Sequence, residues 1–193
     1  MEREFTDTLN HDNLFNILLH ADINTVTSMC LTNHIDWCDS DYFWKLKFGK
    51  DELPILSPLP TTFATWRKEY IRTMNASLEA VDLLELVNQN DVVFNYNDEY
   101  FNFKKILPPA LRSAIFNYTP THQKFNQLNI RKYNGNSINK YIVTLSTSSY
   151  KYVQVYISYE NLYDILTILF YHYPDIGYEL KEPINYKKAI GLF

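Results

Sequence analysis

The chain of 193 residues is poor in glycine and contains no long apolar run. Its four glycines are scattered, and no GxGxxG, GxxxxGK[ST] or GxSxG pattern occurs. The longest apolar stretches, such as residues 165–171 with Thr167 inside them, are too short to cross a bilayer. The sequence therefore offers no sign of a phosphate-binding loop, a nucleophile elbow or a membrane-spanning helix.

Cysteine is also scarce, because Cys30 and Cys38 are the only two in the chain. They are too few for a disulfide scaffold and lack CxxC spacing, so a reducing compartment is the expected environment. Residues 1–4 are acidic and lack the apolar core of a signal peptide. We therefore expect an intracellular protein that is not associated with a membrane.

Known catalytic and metal-binding patterns are missing as well. The five histidines form no HExxH or HxH pair, and neither cysteine stands at zinc-ligand spacing from another ligand. Two carboxylate pairs, Asp98 with Glu99 and Asp39 with Asp41, resemble those of hydrolases, but neighbouring acids in loops usually face water. We therefore predict no catalytic residue, no metal, no cofactor and no enzymatic activity.

What is present is a folded composition with strongly segregated charge. With 46% hydrophobic and 21% charged residues, the chain can bury a core and form one or two domains. The net charge is −4, but residues 1–44 carry eight acids against one base. Residues 100–159 carry eight bases and no acid. This asymmetry favours a contact surface, the alternative being lysines that decorate an ordinary solvated sheet.

Residues 1–50 predict three short helices that pack on one another. The first begins after Asn10, which can cap it, and the second begins near residue 22 and frays at Asn33. The third follows Ser40 and ends at Gly49. Its expected apolar set surrounds Trp44 and consists of Tyr42, Phe43, Leu46 and Phe48.

The next segment begins with a loop, because prolines stand at positions 54, 58 and 60. Apolar residues then recur at helical spacing from Phe63 to Met74 and predict an amphipathic helix. Ser77 is expected to cap a second helix. The residues of that helix expected to face inward are Leu78, Val81, Leu84 and Val87 or their neighbours.

Beyond Asn90 the pattern changes to strands and turns. A strand is predicted at residues 92–94, a short helix at 111–116, and a hairpin at Asn134-Gly135 that joins strands 126–133 and 136–146. In a further strand at 150–158, Val153, Val155 and Ile157 alternate with polar and aromatic residues. The last element is a helix over 160–173, with Leu162, Ile165, Leu166 and Leu169 inward.

These elements predict an α+β fold: an N-terminal three-helix module, then further helices and a small antiparallel sheet that a C-terminal helix covers on one face. The expected parts are a helical module at 1–50, a proline-rich loop with a connecting helix at 51–76, and an α+β domain at 77–193.

The helical module resembles an F-box. The resemblance is carried above all by residues 41–48, DYFWKLKF, while residues 65–70, TWRKEY, resemble the helix that follows such modules in proteins of large DNA viruses, notably marseillevirus-like ones. Asn10 stands where the family has proline, and His34-Ile35 stand near the place of its central tryptophan. The matching positions outside 41–48 are Leu9, Asp12, Leu14, Ile17, Leu18, Asp22, Val26, Met29, Cys30 and Asn33.

The resemblance implies a module that docks on a Skp-type adaptor of a cullin-RING ubiquitin ligase, while the rest of the chain recruits a target. It also implies a viral protein in the host cytoplasm or nucleus, with packaging in the virion as an alternative. The residues that it divides between module core and adaptor groove are Leu9, Leu14, Ile17, Leu18, Val26, Met29, Cys30, Phe43 and Trp44.

The carboxylate-free segment 100–159 supports a second hypothesis. Aromatic side chains beside cations suit single-stranded nucleic acid, because its bases stack on the rings and its phosphates pair with the cations. The residues that would do this are Tyr150, Tyr152, Tyr156, Lys104, Lys105, Arg112, Arg131, Lys132, Lys140 and Lys151. Alternatively, this face is buried within the chain or in a homodimer, with the acidic module of one copy facing the basic segment of another.

Overall fold

The computed structural model describes residues 11–33, 35–95, 107, 125–133, 140–146 and 152–183. The chain divides into two compact units, residues 1–74 and residues 75–193, which we call the helical unit and the sheet unit. The division falls within a single long helix, so each unit contains one part of that helix.

The described part of the helical unit is built from short helices whose starts are capped by polar side chains. The elements are α1 (His11–His20), α2 (Ile23–Asn33), a 3-10 helix (Asp36–Asp39), α3 (Asp41–Lys50) and the beginning of α4 (Phe63–Val87). The Asp22 carboxylate accepts the N–H groups of Asn24 and Thr25 at 2.9 and 3.0 Å. Hydrogen bonds from Thr25, that of its hydroxyl above all, lower the pKa of Asp22. Ser40 Oγ accepts the N–H of Tyr42 at 3.1 Å.

Aromatic side chains dominate the core of the helical unit. The indoles of Trp44 and Trp66 stack at 6.2 Å between centroids with an interplanar angle of 6°. Phe43 packs edge-on against Trp44 at 5.4 Å, and Phe48 against Trp66 at 6.0 Å. The buried hydrophobic residues of this core, among those described, are Leu18, Ile23, Val26, Cys30, Cys38, Phe43, Trp44, Phe48, Trp66 and Tyr70.

The sheet unit contains a five-stranded antiparallel sheet in the order β4-β3-β2-β1-β5. The strands are β1 (Asp91–Asn95), β2 (Gln127–Lys132), β3 (Lys140–Ser146), β4 (Tyr152–Ser158) and β5 (Glu179–Lys181). Ile130 of β2 lies opposite Val143 of β3, which lies opposite Val155 of β4. Together with the helices, this sheet confirms the predicted α+β class.

Helix α5 (Tyr159–His172) follows β4 directly and is capped by Ser158, whose Oγ accepts the N–H of Asn161 at 3.3 Å. It packs on β3 and β4, and Phe170 meets Phe94 of β1 edge-on at 6.2 Å. We call the sheet face on this side the inner face. The residues of α5 predicted to face inward, Leu162, Ile165, Leu166 and Leu169, are all buried.

Residues on the opposite side of the sheet form what we call the outer face. Exposure alternates along β4, where Gln154 and Tyr156 are exposed and Ile157 is buried, as the predicted alternation requires. By the register, the outer face carries Asp91, Val93, Asn129, Arg131, Ile142, Thr144, Gln154 and Tyr156.

Strands β2 and β3 pair antiparallel with Lys132 opposite Tyr141, as a hairpin between residues 126–133 and 136–146 requires. The predicted turn at Asn134-Gly135 and the predicted helix at 111–116 lie outside the described residues.

One correction concerns α4, which is a single helix of 25 residues rather than two. Ser77, the predicted cap, is buried in its interior, and Leu78 and Val81, expected inward, are exposed. No proline or glycine occurs between residues 63 and 87, so nothing interrupts the backbone. Leu84 and Val87 are buried as predicted, and the other apolar residues buried in this part of α4 are Ala76, Ala80 and Leu83.

A second correction concerns the phase of α3. Tyr42 and Leu46 are exposed, although the sequence predicts them inward, and Lys47 is buried. Trp44 and Phe48, one turn apart, determine which side of the helix faces the core, and Lys47 lies between them on that side.

The third correction concerns the cysteines, because Cys30 and Cys38 form a disulfide. The end of α2 and the 3-10 helix bring their Cα atoms to 5.9 Å, a proximity that their spacing in the sequence does not reveal. The inference of a reducing compartment from the cysteine count therefore loses its basis.

Candidate interaction surfaces

The nine residues singled out by the F-box resemblance do not share one environment. Leu14 and Met29 pack partly buried against the core, Ile17 is exposed, and Leu9 lies outside the described residues. The remaining five are buried in the core: Leu18, Val26, Cys30, Phe43 and Trp44. Only Ile17 among the described members is therefore well exposed for contact with another molecule.

Two apolar side chains that the sequence predicts to be buried lie together on the surface of α3. Tyr42, with 65% of its surface exposed, and Leu46 stand one helical turn apart on the side that faces away from the core. We call this pair the α3 outer face. Asp41 and Lys45 lie beside it and form an exposed ion pair at 3.6 Å.

The Tyr42 ring packs against an aromatic side chain of α1. It stacks on Phe15 of α1 at 6.0 Å and an interplanar angle of 22°. Phe15 in turn meets Trp37 at 5.1 Å and Phe43 at 5.5 Å, both edge-on. Because Phe43 belongs to the core, the exposed ring is connected to rigid structure through a chain of aromatic contacts.

A buried cation fixes the other side of α3. Lys47 is 2% exposed, and its Nζ donates to the carbonyl oxygens of Leu19 at 3.1 Å and Ala21 at 2.7 Å. It also bridges to Asp51 Oδ2 at 2.9 Å, which accepts the hydroxyl of Tyr70 at 2.6 Å. Burial and the neighbouring Asp51 carboxylate raise the pKa of Tyr70. This network joins α1, α3 and α4, and we assign it a structural rather than a catalytic role.

On the sheet, Tyr156 is a large apolar residue that lies exposed on the outer face, at 57%. Its ring meets that of Tyr133 edge-on at 5.5 Å, and its hydroxyl accepts a hydrogen bond from Gln154 Nε2 at 3.1 Å. A tyrosine oriented by two neighbours presents a flat apolar surface with little freedom to lose on binding.

Some of the predicted bases lie near this tyrosine. Arg131 lies opposite Ile142, which lies opposite Tyr156, so the three form a row across β2, β3 and β4. Lys140 and Lys132 are exposed at strand ends, but Lys132 pairs with Tyr141 and belongs to the inner side. Outside the described residues lie Lys104, Lys105, Arg112, Tyr150 and Lys151, together with the side chain of Tyr152.

The outer face is not uniformly basic. Asp91 of β1 is buried on it, and burial raises the pKa of its carboxyl, while the Arg131 guanidinium acts in the opposite direction. Asn129 Oδ1 is buried there without a hydrogen-bond partner. Beyond β1 the cation of Lys181 is paired with Glu179 at 3.7 Å, whereas Lys140 is exposed at the start of β3.

Sequence reasoning missed Phe15, Trp37 and Tyr133 as parts of these surfaces. Phe15 follows Leu14 on the apolar side of α1, which is a signal that the sequence does contain. Trp37 lies in a 3-10 helix between two predicted helices, and the neighbours of Tyr133 depend on a strand register that no sequence pattern specified.

In the part of the chain that the structure describes, no three His, Cys, Asp or Glu side chains form a group that could hold a metal ion. No described helix has the length and apolar character needed to cross a membrane. No family model matches the chain, and neither a curated protein nor a solved structure shows significant similarity to it. Function is therefore argued from the surfaces themselves.

Proposed function

We propose that the protein works by contact rather than by catalysis, as an F-box-like module whose α3 outer face binds a Skp-type adaptor while the sheet unit recruits a target. The observation that carries this proposal is the exposed pair Tyr42 and Leu46 on the module that resembles an F-box, in which the Tyr42 ring stacks on Phe15.

The energetic argument rests on exposed apolar area. Burying a leucine or an aromatic side chain that is exposed in the free protein contributes roughly 1.5–3 kcal/mol when it is complete. Tyrosines at the centre of interfaces are frequent binding hot spots. Because Phe15 already restrains the Tyr42 ring, binding costs less side-chain entropy than it does at a freely rotating residue.

The test uses the full chain and a purified Skp-type adaptor in a direct binding titration. We expect Tyr42→Ala combined with Leu46→Ala to weaken binding by at least about 10-fold, since each 1.4 kcal/mol corresponds to about 10-fold. Leu78→Ala is the matched control, because Leu78 is equally apolar and 59% exposed on α4. Absence of adaptor binding by the wild-type chain would refute the proposal.

A second candidate function is the binding of single-stranded nucleic acid by the outer face of the sheet. The observation in its favour is the oriented, exposed ring of Tyr156, with Tyr133 against it and Lys140 on the neighbouring strand. Aromatic platforms that stack bases contribute about 1–3 kcal/mol per base, and phosphate contacts by cations make such binding sensitive to salt.

Fluorescence anisotropy with labelled oligonucleotides tests this candidate. Tyr156→Ala is expected to weaken binding about 5- to 100-fold, and wild-type affinity is expected to fall as salt rises. Tyr42→Ala serves as the crossed control, because it should affect only the adaptor. Salt-insensitive binding, or no binding to single-stranded DNA or RNA, would remove this candidate.

A further inference from the structure

The disulfide of the helical unit links α2 to a short segment that contacts α3 and α4. Cys30 lies in α2, and Cys38 lies in the 3-10 helix, eight residues later. Both are buried, and the chain contains no third cysteine with which either could pair instead. We call residues 35–40 the clasp segment.

Three hydrogen bonds join the clasp segment to α3 and α4. The carbonyl oxygen of Cys38 accepts the indole N–H of the buried Trp44 at 2.7 Å. The Asp39 carboxylate accepts the backbone N–H of Phe63 at the start of α4. Ser40 caps α3 through the N–H of Tyr42. One covalent bond therefore restrains a segment that serves the core and two helix starts.

The clasp segment also carries part of the aromatic packing. Trp37 meets Phe43 at 4.9 Å and Phe15 at 5.1 Å. Within the segment, Cys38 N–H donates to Ile35 O at 3.0 Å and Ser40 N–H donates to Trp37 O at 2.9 Å, and these bonds close local turns without joining the segment to α2. Its placement therefore relies on side-chain contacts and on the covalent bond to α2.

We propose that the Cys30–Cys38 disulfide is a redox-controlled clasp: oxidation holds the clasp segment in place, and reduction releases it and destabilises the helical unit. The proposal is independent of which partner the protein binds, because each of its consequences is measured on the chain itself.

The oxidation proceeds by thiol–disulfide exchange with a low-molecular-weight disulfide such as glutathione disulfide. One cysteine thiolate attacks the oxidant, forms a mixed disulfide and expels one glutathione thiolate. The other cysteine thiolate then attacks the mixed disulfide and expels the second. The cysteine pair loses two electrons, the oxidant gains them, and the two cysteine protons pass to the departing thiolates. Because both sulfur atoms are buried, either direction requires the clasp segment to open first.

The experiment compares the full chain after equilibration with glutathione disulfide and after complete reduction with dithiothreitol. Alkylation with a maleimide followed by mass measurement counts the free thiols. A loop of this length that loses its cross-link is expected to lower the melting temperature of the helical unit by about 5–10 °C. Amide hydrogen exchange is expected to speed up in residues 35–40 and at Trp44, and not in β2 and β3.

The variant that combines Cys30→Ala with Cys38→Ala is expected to melt near the reduced wild type and to be insensitive to dithiothreitol. If that variant does not fold, hydrogen exchange on the reduced wild type decides the question alone. An unchanged melting temperature and unchanged exchange after full alkylation would overturn the proposal. So would two cysteines that stay free in glutathione disulfide.

Discussion

At the scale of single residues, Lys47 shows how a charge becomes part of an aromatic core. An ammonium group has three hydrogens to donate, and the structure supplies three acceptors, namely Leu19 O, Ala21 O and Asp51 Oδ2. The two carbonyl groups come from the last turn of α1 and the residue just beyond it, where a cation is favourable. Lys47 therefore replaces the missing intrahelical partners of α1.

We predict that Lys47→Met lowers the free energy of unfolding by about 2–3 kcal/mol, because methionine fills the space but cannot donate to the Leu19 and Ala21 carbonyl oxygens or balance the charge of Asp51. Lys45→Met is the matched control on the same helix. Lys45 is half exposed and its bond to Asp41 is weak, so its loss should change stability by less than about 0.5 kcal/mol. Urea unfolding measures both, and equal stability of Lys47→Met and the wild type would contradict the prediction.

Tyr70 yields a prediction on pH. Its pKa is raised in the folded chain, whereas an unfolded tyrosine titrates near its ordinary value of about 10. The stabilisation is therefore fully present below that value and is lost as pH rises, because the unfolded chain releases a proton that the folded chain retains. We expect wild-type stability to fall relative to Tyr70→Phe as pH rises above about 10, and to keep falling with further increase in pH. Parallel stability curves of the two proteins would contradict this.

The sequence predicts burial correctly where apolar residues lie at core-facing positions. The prediction fails where a polar residue lies at a buried position or an apolar residue at an exposed one. Phe43, Trp44 and Phe48 are in the core, as the sequence predicts. Lys47 and Leu46 exchange their expected places, because helix phase outweighs hydrophobicity once Trp44 and Phe48 are packed. The pairing of Cys30 with Cys38 depends on how two elements meet, which neither residue type nor spacing specifies.

At the scale of elements, α4 allows a test of continuity. A serine that caps a helix contributes about 1 kcal/mol, whereas a serine inside a helix is less favourable than alanine. Ser77 Oγ is buried without a hydrogen-bond partner. We therefore predict that Ser77→Ala leaves stability unchanged or raises it by up to about 0.5 kcal/mol.

Ser40→Ala is the contrasting change, because Ser40 caps α3 and its loss should cost about 1 kcal/mol. Thermal unfolding of the two variants under the same conditions gives the comparison. A loss at Ser77 as large as that at Ser40 would indicate a helix boundary inside α4.

Strand β4 permits a similar comparison between neighbours on opposite faces. Ile157 is 4% exposed and lies on the inner face, while Tyr156 is exposed on the outer face. We predict that Ile157→Ala costs about 2–5 kcal/mol, as for other buried large-to-small changes. Tyr156→Ala should cost less than about 1 kcal/mol, because the side chain is exposed and its loss removes surface contacts such as those with Tyr133 and Gln154. Chemical denaturation distinguishes the two, and equal costs would contradict the assigned register.

The elements that could be predicted are those with a clear period and a clear boundary. The three N-terminal helices, the strands β1 to β4 and helix α5 were predictable because apolar spacing and caps coincide there. The 3-10 helix at Asp36–Asp39 and strand β5 were missed, since four and three residues are too few to show a period. All three residues of strand β5 are exposed, and the strand pairs with β1.

At the scale of the whole molecule, the distribution of charge matters more than its sum. Residues 1–44 are strongly acidic and residues 100–159 carry only bases, so the molecule has regions of opposite sign within a net charge of −4. In the described part of the basic segment, Lys132 and Lys140 are exposed. Two copies can therefore attract each other even though their net charges repel.

We predict that the full chain self-associates at low salt through these opposite charges and separates as salt rises. Charges interact over about 30 Å at 0.01 M ionic strength but only over about 3 Å at 1 M. Sedimentation velocity across this range should show an associated species that gives way to the monomer. Lys132→Glu combined with Lys140→Glu should remain monomeric at low salt, because both changes place acids in the basic segment.

The alternative is association through apolar surface, which salt does not weaken. In that case the associated species would persist at high salt and would be lost in Leu46→Ala, which removes part of the α3 outer face, rather than in the charge-reversal variant. A monomer at every salt concentration would refute both kinds of association. The outcome therefore identifies which of the two surfaces, the charged one or the apolar one, is available for another molecule in solution.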